Sequence, residues 1–290
     1  MGSAIDAKTQ RPKMGIPMRG QTESGCSCDT IDDFGEQWRS YTRNTGYYGS
    51  TESLIALFGD LLTPEDIRGK HLADVGAGSG RYTRMFHALG ARSILAMEPS
   101  SAIDVLKANT SDLDRIEYLQ ARADEIPARG FDWVFCIGVL QFIAEPDASL
   151  QAMGKALGPG GKLFLWVYGL ENNEVYLRLT APLRALTCNM PHAILDPVAA
   201  FLAAVASAYA GLCRCVPHPL PLSDYLLGYY SKLDFYSRKL IAYDQLNPKY
   251  AKYYRKEELD ALLRRNGFSD VRMFHYLNYS WSAVASYAGA

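Results

Sequence analysis

Between residues 69 and 168, short apolar runs alternate with amphipathic segments, and this alternation restricts the chain to a parallel α/β sheet. "KHLADVG" reads as a strand, after which Tyr82, Met85, Phe86 and Leu89 mark one face of a helix. "SILAMEPS" is a second strand, and Ser101 is placed to cap a helix running to Asn109. "IEYLQARADEIP" supplies a third strand and a loop. "FDWVFCIGVL" is too apolar to expose a face and belongs at the centre of a sheet. A helix from Ala148 to Leu157 ends in the turn "GPGG", and "KLFLWVYG" is a fifth strand. The rhythm breaks for some eighty residues. It then returns with the helix "RKEELDALLRRNGF", stopped by Gly267, and the strands "DVRMFHY" and "NYSWSAVASYA". The expected fold is an α/β, Rossmann-like seven-stranded sheet with an inserted helical subdomain.

Five segments follow from this pattern. Residues 1–30 are polar, carry no apolar run and read as a flexible tail without a signal peptide, so a cytoplasmic protein is expected. Residues 31–68 form a helical cap, 69–170 the core, 171–254 the helical insertion, and 255–290 the end of the core. In the insertion Tyr225, Tyr229, Leu233, Tyr236 and Leu240 recur at three and four residues, one helix stripe. The uncharged run from Val198 to Cys213 would span roughly 24 Å as a helix, short of the roughly 30 Å hydrocarbon core. It reads as a buried helix or a subunit contact in a homo-oligomer, with no stable membrane insertion.

A formal net charge of -1 provides no electrostatic footprint for nucleic acid, so none is expected as a partner. Cys26 with Cys28, and Cys213 with Cys215 ahead of His218, stand one residue apart. Zinc sites space thiolates by two to four, so reduced thiols and no metal are expected.

The loop after the first strand carries the chemistry: Gly76, Gly78 and Gly80 at alternate positions, built to bare backbone to a ligand. A triphosphate is excluded because the loop ends Gly80-Arg81-Tyr82, without the Gly-Lys-Ser/Thr of a phosphate-binding loop. A dinucleotide fits poorly, since the third glycine comes one residue early for G-x-G-x-x-G. Glu98 ends the second strand, where a carboxylate accepts both hydroxyls of an adenosine ribose. Asp124 follows the third strand and can meet an adenine amino group.

The order Asp74-Val-Gly76-Ala-Gly78-Ser-Gly80, Glu98-Pro99, Ala123-Asp124, "FDWVFCIGVLQFI" and "GPGGKLFLWVY" resembles the class I S-adenosylmethionine-dependent methyltransferases, over about residues 69–168 and 255–288. The resemblance implies S-adenosylmethionine as cofactor. Asp74, Gly76, Ala77, Gly78 and Gly80 would meet its amino-acid part and Glu98 with Pro99 its ribose. Asp124, Glu125 and Ile126 would lie at the adenine, and the segment from Ile137 and Gly138 to Gln141 would run along the methionine. Trp38, Tyr41, Tyr47 or Tyr48 in the entrance segment would close over the amino-acid end. Many small-molecule members carry histidine where Gln141 or Phe142 stands, so the resemblance supplies no base there.

Methyl transfer from a sulfonium is an in-line displacement in which the protein aligns the partners and excludes water, adding a base where the nucleophile carries a proton. Glu171, just past the fifth strand, and His192 in the insertion are the favoured candidates, ahead of His218 and His275; His87 reads as structural. The sparse charges and many tyrosines of the insertion suit an apolar or aromatic small-molecule substrate, a specialised metabolite methylated on oxygen, nitrogen or carbon. Transfer of another S-adenosylmethionine-derived group and a non-catalytic lipid-binding role are the alternatives.

Overall fold

A computed structural model describes residues 23–288, with side chains from Thr30 onward. The chain opens with α1 (Glu23–Ser40) and α2 (Thr51–Phe58) and then enters the sheet. β1 (His71–Val75), α3 (Arg81–Ala88), β2 (Ser93–Met97), α4 (Ile103–Asn109), β3 (Ile116–Leu119), β4 (Phe131–Ile137), α5 (Asp147–Ala156) and β5 (Leu157–Tyr168) make the alternating part. α6 (Glu174–Thr187), α7 (His192–Cys215), α8 (Ser223–Gly228) and α9 (Phe235–Leu246) follow, and α10 (Lys256–Arg265), β6 (Phe268–Tyr276) and β7 (Ser280–Tyr287) return to the sheet.

The strands lie in the order β3-β2-β1-β4-β5-β7-β6. β1 to β5 are parallel and β7 is antiparallel to both neighbours. Alternate side chains of one strand point to opposite faces, so each central strand serves two cores. Leu72, Trp133, Phe135 and Phe164 pack with Leu54 and Phe58 of α2 and Met85 and Phe86 of α3. Ala73, Val75, Val134, Cys136, Leu163 and Leu165 pack with Leu150 and Met153 of α5 and Leu259, Leu262 and Leu263 of α10. The helices between β5 and α10 form a third core, which takes in Tyr41 and Tyr48 from the N-terminal segment. Strand order reverses between β1 and β4, which opens a crevice at their carboxyl ends.

Several local expectations need correction. "GPGG" is not a free turn: β5 already pairs at Leu157 with Phe131 and resumes at Lys162, so the glycines form an irregularity within the strand. Ser101 caps nothing; the Ser100 hydroxyl accepts the Ala102 N–H at 3.1 Å instead. The tyrosine stripe is not one helix, because α8 ends at Gly228 and Asp234 starts α9 by accepting the Ser237 N–H at 2.7 Å. α1 begins at Glu23, inside the stretch read as tail, whose residues 1–22 lie outside the described residues, as do the side chains of Cys26 and Cys28.

The run 198–213 lies within α7, a 24-residue helix long and apolar enough by composition to cross a membrane. Leu195, Ala199, Ala203 and Ala210 bury one face, while Ile194, Phe201, Val205 and Leu212 are exposed on the other. An uncharged run does not reveal which of its faces finds a partner, so the buried-helix reading holds for one side only.

Candidate active site

A cavity of about 260 Å³ opens at the carboxyl ends of β1, β2, β4 and β5 and is closed from above by α1, α8 and α9. Its floor is the loop after β1. The Gly76 and Ala77 N–H groups both donate to the Met97 carbonyl, at 2.8 and 2.7 Å, which ties the loop to β2. Gly76 and Gly78 have φ of +74° and +55°, the left-handed region that favours glycine. A Cβ at Gly76 would stand 2.4 Å from Val139 Cγ2, and one at Gly78 would stand 3.0 Å from the Trp38 indole nitrogen. The bare backbone therefore serves close approach by two side chains of the protein as well as exposure to the cavity. Asn44 and Asn109 hold the loop from outside, each donating to the Ser79 carbonyl, at 3.1 and 2.8 Å.

Glu98 stands beside the loop, 5% exposed. Its Oε2 accepts the Gly78 N–H at 2.9 Å, and its Oε1 accepts the Ser100 N–H at 3.0 Å and the Ser100 hydroxyl at 2.5 Å. A carboxylate offers about four lone-pair sites and three are used, so one acceptor site remains, on Oε2. Pro99 adjoins it, and Asp124 lines the same end, paired with Arg122 at 3.1 Å.

The other end lies roughly 14 Å away, three strand spacings from β2 to β5. Here Ile137 at the end of β4, with Gly138 and Gln141 after it, faces Trp166 and Tyr168 of β5. The Tyr168 hydroxyl donates to Asp244 Oδ2 at 2.7 Å and accepts from Gln245 Nε2 at 2.9 Å, while Gln37 Nε2 donates to Asp244 Oδ1 at 3.0 Å. Burial pushes the Asp244 carboxyl above the usual range, against the pull of Gln37, Tyr168 and the Arg184 and Arg81 charges. Burial, reinforced by the Asp244 charge, likewise holds the Tyr168 phenol far above its ordinary value and therefore neutral. Gln141 is 0% exposed, and neither its Nε2 nor its Oε1 has a hydrogen-bond partner. Arg81 enters the wall with its guanidinium 3.9 Å from the Tyr48 ring centre and 4.1 Å from that of Tyr82.

Of the residues singled out in the sequence, Gly76, Ala77, Gly78, Glu98, Pro99, Asp124, Ile137 and Gly138 line this one cavity. Asp74 does not: it is 1% exposed and accepts the Thr83 hydroxyl at 2.6 Å, joining β1 to α3. Burial first, then the nearby Glu98 charge, lifts its carboxyl to about 6 against the Thr83 hydrogen bond. Gly80 serves packing, since a Cβ there would stand 2.9 Å from Leu106 Cδ1. Glu125 turns back to accept the Arg122 N–H at 2.7 Å. Tyr47 lies behind the wall, against the Tyr229 ring, while Tyr48 and Trp38 line the cavity.

Both candidate bases also fall outside. Glu171 accepts the Lys256 N–H at 2.9 Å and the Trp281 indole N–H at 3.0 Å; burial raises its carboxyl, and these hydrogen bonds outweigh it to leave the net shift downward. His192 faces the Tyr243 hydroxyl at 3.1 Å beneath Tyr41. His218 is exposed and His275 stacks on Trp281 at 4.1 Å. Being near a strand end or in the insertion did not specify which way a side chain points. Asp244 and Gln245 were missed. They follow Leu240 and Ile241 by four residues, so two polar groups break an apolar helix face, and that break was the available signal. Among the described residues no group of three His, Cys, Asp or Glu side chains is arranged to hold a metal ion.

The sheet order and this cavity define a Rossmann-like methyltransferase fold. Residues 73–165, about a third of the chain, match the family model described as "Methyltransferase domain". Two solved structures share the fold. The DhpI–SAH complex aligns with TM-score 0.58 at 14% identity, over 93% of this chain and 100% of that one. The 1,6-didemethyltoxoflavin-N1-methyltransferase of Burkholderia thailandensis aligns with TM-score 0.53 at 14% identity, over 94% of each chain. Among curated proteins, a tRNA U34 carboxymethyltransferase of Campylobacter curvus is 31% identical over 111 residues, 37% of each chain. A ubiquinone biosynthesis O-methyltransferase of Idiomarina loihiensis is 33% identical over 101 residues, 33% of this chain and 41% of that one. The chain thus spans about two fifths of the length of these relatives.

Proposed function

We propose that the protein transfers a methyl group from S-adenosylmethionine to an apolar or aromatic small molecule, a specialised metabolite, bound at the β4/β5 end of the cavity. The observation that carries this reading is the convergence of Gly78, Glu98 and Asp124 on the β2/β3 side of a single cavity whose opposite side is lined by aromatic rings. The residues fit the cofactor. Glu98 retains one acceptor site, on Oε2, for a ribose hydroxyl, Asp124 can accept from an adenine amino group, and the Gly76–Gly78 backbone leaves room for the amino-acid chain. When bound, the cofactor supplies an already activated methyl electrophile.

The chain does the rest. Gly138 and Trp166 position the reacting end, and the rings of Tyr225, Tyr229 and Tyr279 exclude water and hold the acceptor's ring in line. We read residues 171–254 as the lid, since α8 and α9 roof the cavity and α9 is tied to α1 by the Gln37–Asp244 bond. The net charge of -1 and the aromatic lining of the β4/β5 end favour a small molecule over tRNA, which the names of some relatives carry. A second reading, transfer of a carboxymethyl group, is favoured by the Arg81 guanidinium in the wall, a cation suited to a carboxylate. Calorimetric titration with S-adenosylhomocysteine and with NAD tests the main reading. Binding of the first and not of the second is expected; the reverse refutes it.

A further inference from the structure

The acceptor end of the cavity holds two polar groups that alignment and water exclusion do not by themselves require. Asp244 is oriented by two neutral donors, Gln37 on Oδ1 and Tyr168 on Oδ2, and each oxygen keeps one further lone-pair site. Gln141 brings an amide donor and an amide acceptor into the same cavity wall, fully buried, with neither atom satisfied by the protein. An apolar acceptor would leave both unpaired, whereas a ring bearing a proton-carrying heteroatom beside a carbonyl or hydroxyl satisfies them.

Resting on the function proposed above, we infer that Asp244 is the catalytic base and Gln141 the residue that orients the acceptor, so that the reacting atom is an O–H oxygen or N–H nitrogen on such a ring. In the step, a lone pair of that heteroatom forms the bond to the methyl carbon and its proton passes to the Asp244 carboxylate. The carbon–sulfur electron pair stays on sulfur, which leaves neutral S-adenosylhomocysteine and a protonated Asp244. Tyr168 and Gln37 hold the carboxylate in place; neither gains nor loses a proton.

The groups facing Asp244 are Arg184 on α6, Arg81 on α3, Gln37 on α1, Tyr48 on the following turn, Tyr168 on β5, Tyr176 on α6 and Tyr253 before α10. Burial outweighs the two arginines and lifts the carboxyl, which suits a base required to accept a proton near neutrality.

The test uses the full chain with methyl-labelled S-adenosylmethionine and a panel of catechol, para-nitrophenol, hydroxyquinoline and uracil, with indole as the carbon nucleophile. Label is expected on oxygen or nitrogen of at least one member. Asp244→Asn is expected to lower kcat by roughly 100-fold or more and to remove the acid limb of the pH profile. Asp244→Glu retains that limb. Gln141→Leu raises the KM of the accepted member about tenfold with kcat little changed, and weakens its calorimetric binding to the enzyme–S-adenosylhomocysteine complex by the same factor. S-adenosylhomocysteine affinity stays within about twofold in each variant, and its absence in the wild type would sink the underlying function reading instead. The inference is overturned if Asp244→Asn transfers at the wild-type rate at every pH, if only indole is methylated, or if S-adenosylhomocysteine binds and no member is labelled.

Discussion

Replacing Asp74 by Asn tests whether burial makes the ionised form of this carboxyl unfavourable in the folded protein. Asp74 lies on a central strand, 1% exposed, with its carboxyl lifted from 3.8 to about 6 by burial and by Glu98. A folded-state value above the unfolded one means that the protonated form is the one folding prefers. The associated stability is fully present below about pH 4 and is lost as pH rises through about 6. At about 1.36 kcal/mol for each pH unit of separation, the loss amounts to about 3 kcal/mol, or roughly 6–12 °C in melting temperature for a domain of this size. Asn retains an oxygen to accept the Thr83 hydroxyl but has no proton to lose. The difference in melting temperature between Asp74→Asn and wild type should therefore change in the variant's favour between pH 4 and 7 and stay level above that. A constant offset reports only how the amide NH₂ fits. Parallel melting curves from pH 4 to 7 would show that burial does not raise this carboxyl, and the reasoning would fail.

Glu98→Ala leaves the buried Gly78 and Ser100 N–H groups without their acceptor, so about 2–5 kcal/mol of stability should be lost. Affinity for S-adenosylhomocysteine should fall about 100-fold; denaturant titration and calorimetry read the two effects. Glu171→Ala should lower the melting temperature through loss of its bonds to Trp281 and Lys256, while turnover per folded molecule stays at the wild-type level.

Much of this protein is written in local sequence. Short apolar runs between amphipathic helical segments placed every sheet strand, and the glycine spacing with Glu98 and Asp124 located the β2/β3 end of the cavity, because backbone conformation and strand-end position are set within a few residues. The acceptor end was not legible in the same way. Gln37 and Asp244 meet across 207 positions and Tyr168 and Asp244 across 76, and no local pattern encodes such a meeting. Asp74 and Glu171 carry the right chemistry at the right strand ends, yet their side chains turn to Thr83 and Trp281. The sequence alone determined the α/β sheet and the glycine loop; the tertiary packing of α1 and α9 over β5 decided which carboxylate faces the cavity, because a side chain's direction depends on the elements packed around it.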